Sequence, residues 1–277
     1  MSLTVFAAVM TAALMHATWN VIVKSAPDKF LTMILVASTA AVFAALALPF
    51  LPSLAPAAWP YIAASLLLQI LYYVLVANAY HLADLSQAYP LMRGCAPLLV
   101  ALVTVLRLGE HLSVTAWLGV SAICAGILAA AGGARAGSRR GIQLALGNAV
   151  VIAAYTLIDG MGVRRAGTPE TYTLWIFLLT GAPLALWALL QRRAAFTAYV
   201  GRHWHLGLVG GIGTTASYSL ALWAMTLAPV AVVAALRETS ILFGTAIAAL
   251  VLHEPVGPRR IVSACVIAGG AVALRLA

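Results

Sequence analysis

Charge is what this chain has least of: Asp, Glu, Lys and Arg together make up 8% of 277 residues, against 64% hydrophobic residues and a mean hydropathy of +1.02. So few charges cannot cover a water-soluble surface, and the composition requires a bilayer. Cysteine is also scarce. Cys95, Cys124 and Cys265 are odd in number and all fall in apolar stretches, so they are expected to pack and not to build a disulfide framework or a metal site. The chain has no HExxH, no paired intramembrane aspartates and no Ser/His pair at helical spacing. An enzyme is therefore not expected, and no cofactor is implied. Residues 1–24 lack a basic start and a small-residue cleavage site but carry His16, Asn20 and Lys24. They read as a retained first span, not a signal peptide.

What the chain does have is length of apolar sequence. About twenty such residues cross a bilayer, and windows near 4–24, 31–51, 58–80, 86–107, 113–132, 141–163, 170–190, 203–226, 229–252 and 259–277 qualify. The net charge of +9 is spread in ones and twos at window ends, where bases meet lipid headgroups, so the lipid bilayer is the expected partner and nucleic acid is not.

The second half repeats the first. Arg93 and Arg237, Glu110 and Glu254, and Gly126 and Gly270 are matched at a constant spacing of 144 residues. The polar run GGARAGSRRG at 132–141 separates five windows from five. An odd number of spans turns the second copy over, so the expected fold is an all-α membrane protein with ten transmembrane helices as two inverted five-helix repeats around a central cavity. The expected divisions are residues 1–132, a linker at 133–140, and residues 141–277. Small residues in the fifth, eighth and tenth windows, including Gly207 and Gly211 in a GxxxG, point to close helix contacts. Connections after odd windows hold ten Lys or Arg; those after even windows, with the tail, hold four. That count puts both termini outside the cell.

Ionisable and aromatic residues inside the windows are the candidates for chemistry. His16, Trp19, Asn20 and Lys24 share one face of the first helix. Asn148, Tyr155 and Asp159 do the same in the sixth, with Asp159 near the membrane boundary and read as a solvated helix-end acid. Tyr73, Ala77 and Tyr80 line one face of the third, and Tyr218 and Trp223 lie in its counterpart, the eighth. Tyr89, Arg93 and Pro97 share a face of the fourth, and Arg237 and Glu238 lie in the ninth. Each buried charge carries a penalty of about 3 kcal/mol on insertion scales. From the window ends, Arg93 lies about 10 Å deep and Arg237 about 12 Å deep from the other face. Glu238 is expected to neutralise one of these arginines, leaving the other to attract an anionic cargo group; a purely structural polar knot is the alternative. His16 and Glu238 are also candidates for coupling. Tyr72, Trp59, Trp117, Trp175 and Trp204 are assigned to interfacial belts, and Glu110 and Glu254 to short turns.

The stretches LMRGCAPLLVALVTVLRLGEHLSVTAWLGVSAICAGI and AALRETSILFGTAIAALVLHEPVGPRRIVSACVIAGGAVAL resemble the two copies of the EamA-type domain of the drug/metabolite transporter superfamily. Both join an apolar helix ending in Gly-Glu or His-Glu to a Gly-rich helix. The resemblance covers essentially the whole chain. It implies a bacterial inner-membrane carrier with cytoplasmic termini, similar to the aromatic and hydrophobic amino-acid exporters, working by alternating access on a small-molecule substrate. A monomer is expected. Exporters of other metabolites or drugs, a channel and a polytopic membrane enzyme are the alternatives. One departure concerns coupling: the small multidrug exporters of that superfamily use a first-span glutamate, and this chain has no acid there.

Overall fold

Short polar side chains start several of the helices. Asp28 Oδ1 accepts the Leu31 N–H at 2.9 Å, Ser113 Oγ the Ala116 N–H at 3.1 Å and Ser138 Oγ the Gly141 N–H at 3.1 Å. Each satisfies a donor that the first helical turn leaves free. Pro169 and Pro258 occupy first-turn positions, where a missing N–H does no harm. Gly109, at φ +66°, lets the chain turn sharply after the fourth helix.

The computed structural model describes residues 1–82, 85–130, 138–251, 253 and 256–277, without the side chains of residues 77, 80, 81, 85 and 86. Most of the linker, Glu254 and the side chain of Tyr80 therefore lie outside the described residues. The helices are α1 (Leu3–Ser25), α2 (Lys29–Ala47), α3 (Trp59–Leu82), α4 (Leu85–Leu108), α5 (Val114–Ala130), α6 (Arg139–Val163), α7 (Pro169–Gln191), α8 (Arg193–Leu227), α9 (Val230–Arg237), α10 (Ser240–Leu250) and α11 (Pro258–Leu276). With α9 and α10 counted as one broken span, there are ten among the described residues, of which seven are long and apolar enough to cross a membrane by length and composition alone.

Two departures from the expected windows matter. The ninth span is not a continuous helix. Its N–H groups at Glu238 and Thr239 bond three residues back, to Ala235 and Leu236, and the Thr239 hydroxyl bonds the Leu236 carbonyl at 2.6 Å. The side chain thus competes for the helical acceptor and tightens one turn at the charged residues. In α8, backbone angles of −126° and 20° at His203 kink the helix. The segment before the kink, between two spans by hydropathy, is helical too.

Packing displays the inverted repeat. Helices at the same place in each repeat pair with one another, α2 with α7 and α5 with α11, while α3 packs on α6 as α8 packs on α1. That exchange of partners is what a twofold axis in the membrane plane produces. Gly119 and Gly270 bring α5 and α11 together so closely that a Cβ on either would stand 2.9 or 2.8 Å from the other's carbonyl oxygen. In α8, Gly207 and Gly211 meet Leu35 and Thr39 of α2 in the same way.

Both termini lie on one face, where Arg275 donates to the Met1 carbonyl at 2.7 Å. In the half of the molecule toward that face, one continuous apolar core runs from Val5 and Ile62 through Val100, Leu157 and Tyr172 to Leu236 and Leu274. Toward the other face there is no such continuity. One small cluster joins Ala79, Met92 and Ile152 across α3, α4 and α6, and another joins Leu35, Ala188 and Tyr199 across α2, α7 and α8. The core is continuous toward the termini, beneath a cavity of about 460 Å³ bordered by Met1, Val5, Ala116, Val232 and Leu274, and it is split toward the opposite face.

Candidate functional site

Arg93 lies between Pro90 and Pro97 in α4 and Glu238 lies in the tightened turn after α9. Arg93 Nε stands 2.9 Å from Glu238 Oε2, with both side chains largely buried, although the angle falls short of a hydrogen bond. Of the two arginines the sequence offered to Glu238, Arg93 is the partner. The pair joins the two repeats at almost symmetry-equivalent positions. Arg237 takes a different contact: its guanidinium lies over the Tyr218 ring at 5.0 Å, and among the described residues no carboxylate comes within ion-pair distance of it. Arg93, Tyr155, Arg237 and Glu238 line a void of about 20 Å³, which holds roughly one water. The floor of the central cavity is thus nearly shut in this conformation.

Aromatic rings stand around that floor. Tyr72 packs edge-on against Tyr155 at 6.2 Å and against Tyr73 at 5.2 Å, so Tyr72 belongs to the interior group and not to the interfacial belt. The belt reading suits Trp59 and Trp175 better, which pair with each other at 4.9 Å. Tyr89 lies beside Arg93. Tyr73 and Tyr89 keep 49% and 38% of their surfaces exposed, on the side where the packing is split. On α1, Trp19 Nε1 donates to His16 Nδ1 at 3.3 Å and the Asn20 amide to the His16 carbonyl at 2.7 Å. Trp223 packs against the large continuous core.

Asp159 is not a solvated acid. It is fully buried, because α6 contributes it several residues before its end and α7 and α8 close over it. Tyr172 donates to Oδ1 at 3.0 Å and Tyr218 donates a short hydrogen bond to Oδ2. The nearby Gly160 and Gly162 make this possible, since a Cβ at either would collide with Val230 or with Tyr172. That Asp-Gly-Met-Gly spacing after an apolar run is the signal the sequence held for Asp159. Glu110, expected to serve a turn, also ties the repeats together. Arg164 bonds its Oε1 at 2.9 Å and also the carbonyls of Met225, at 2.8 Å, and Ala228, at 3.2 Å.

Two inverted five-helix units around a buried, charged floor define a multi-pass membrane protein built on the transporter plan. The model of the EamA-like transporter family matches residues 3–131 and 139–276. The chain belongs to this family of membrane transporters of small molecules. Among solved structures, 27 chains match. One, described as "Crystal structure of protein", has a TM-score of 0.78 at 21% identity, with 99% of this chain and 98% of that chain covered. At that identity the likeness establishes the fold alone. No curated protein matches the sequence.

Proposed function

We propose that this transporter exports small amphiphilic metabolites bearing a carboxylate, aromatic and hydrophobic amino acids foremost, across a bacterial inner membrane by alternating access. The repeats, 1–132 and 141–277, contribute opposing walls. The cargo carboxylate is drawn to Arg237, and the apolar part lies among Trp19, Tyr73, Tyr89, Tyr155 and Tyr218. The observation that carries this reading is the arginine left over: Glu238 answers Arg93, while Arg237 has the Tyr218 ring beneath it and, among the described residues, no carboxylate within ion-pair distance. A half-buried cation without a carboxylate in contact is poorly compensated, and an aromatic-walled chamber above it suits an apolar ligand with one charged end. Because the void at the floor is small, cargo binding requires the walls to part. His16 and Glu238 then sense occupancy from α1 and from the broken span.

Proteoliposomes loaded with labelled L-phenylalanine, L-leucine or L-lysine test the reading. Saturable release of the first two over the third is expected, and Arg237→Ala should abolish it in protein that still elutes as a single folded species. Normal release by both Arg93→Ala and Arg237→Ala variants would end the cargo-binding role. Ion currents without saturable flux would replace a carrier by a channel.

A further inference from the structure

The proposed cargo site leaves Asp159 without a task, yet it is the most completely buried acid among the described residues. Its hydrogen-bonded partners are the hydroxyls of Tyr172 from α7 and Tyr218 from α8, and the Ser65 hydroxyl of α3, which itself accepts from Gln69 Nε2 at 3.0 Å, lies close by. Arg237 from α9 and Tyr155 of α6 face it from further off. A hydroxyl both donates and accepts, so this cage can solvate a carboxylate and, after rotation of one O–H, a carboxylic acid. A guanidinium in contact would hold only the first. Asp159 also completes a charge balance. Arg93 and Arg237 carry two positive charges and Glu238 and Asp159 two negative ones, with His16 of α1 near both arginines.

We infer that Asp159 is a proton-binding site set into the closed gate, and that its protonation both loosens the gate and readies Arg237 for a carboxylate. Ionised, Asp159 holds α7 and α8 against α6 through charge-assisted hydrogen bonds. When a proton from chamber water is added to one carboxylate oxygen, those bonds become neutral and weaker, and the interior is left with one uncompensated positive charge. Proton and carboxylate binding then favour each other, and outward flux runs down the cargo's own gradient. This part rests on the cargo reading above; the proton site itself does not.

Infrared difference spectra of the full chain in phosphatidylcholine/phosphatidylglycerol vesicles, recorded between pH 9 and pH 5 without cargo, test the site directly. The wild type should show a carboxylic-acid C=O band that Asp159→Asn deletes and Glu170→Gln, at an exposed acid, leaves in place. Tyr218→Phe keeps the carboxyl but removes one donor, so the band should move to higher frequency; this variant decides the matter if Asp159→Asn does not fold. A wild type without the band, a band surviving in Asp159→Asn, or a band unmoved by Tyr218→Phe overturns the inference. Adding L-phenylalanine should enlarge the band at a fixed intermediate pH. A band that passes the other tests but ignores L-phenylalanine removes the amino-acid cargo and leaves the proton site standing.

Discussion

The two halves of the bilayer are built from the same ten helices and differ in how they are held. Toward the termini, one apolar core spans both repeats and is fastened by polar links at Asp159, at Glu110 with Arg164, and at Arg275. Toward the other face, two separate clusters share no helix, and Tyr73 and Tyr89 stay partly exposed. Inverted repeats explain why one chain can afford this asymmetry. Each helix has a counterpart pointing the other way, so the packing that closes one face is available, with the roles of the repeats exchanged, to close the other. On the alternating-access reading proposed above, the difference describes one of two conformations, open to the face away from the termini, with the charged floor between the gates.

Labelling gives the largest expected contrast. With Cys95, Cys124 and Cys265 replaced by alanine, Tyr73→Cys should react with a membrane-impermeant maleimide added at the face away from the termini, and Leu222→Cys should not react from either side. Equal reactivity would break the comparison between halves. Next in size is the link across the floor. Arg93→Ala or Glu238→Ala leaves a buried charge unpaired and should lower stability by about 3–5 kcal/mol, most of it recovered in Arg93→Met combined with Glu238→Gln. Melting in mild detergent checks this, and a double variant no more stable than the singles would contradict it.

A smaller effect separates two adjacent glycines in α11. Gly270→Ala forces a methyl group onto the Gly119 carbonyl and Ile123, and should destabilise by about 1–3 kcal/mol. Gly269→Ala meets nothing within 4 Å and should be stabilising by up to ~1 kcal/mol through helix propensity. Indistinguishable melting of the two would show that α5 and α11 are not tightly docked. Smallest is Glu110→Gln. Its ion pair with Arg164, exposed mainly on the arginine side, should contribute about 1 kcal/mol and fade in part with added salt; a larger, salt-insensitive loss would mean that the link is desolvated.

Much of the plan was legible in residue order. Hydropathy located the spans, and the 144-residue spacing with five windows per half implied inversion, because both depend only on local composition and on counting. Around the site, legibility fell off where long-range geometry took over. Arg93 and Glu238 were visible as costly residues, but the choice between two arginines depended on how α4 and the broken span are rotated. Asp159 was misread because distance from a helix end says nothing of what neighbouring helices place over that end. Tyr72 was misread because ring exposure depends on helix facing, and its own neighbours in sequence are equally apolar. The break between α9 and α10 lacked a proline to announce it and arises from the Thr239 hydroxyl bonding within its own turn.

By itself the sequence determined a membrane environment, ten crossings and a duplicated, inverted arrangement, since a bilayer tests each segment for apolar length one at a time. Tertiary structure alone decided which charges meet, which acid is buried and which face is closed. Those outcomes are set by contacts between helices far apart in the chain, where a rotation of one helix exchanges one partner for another.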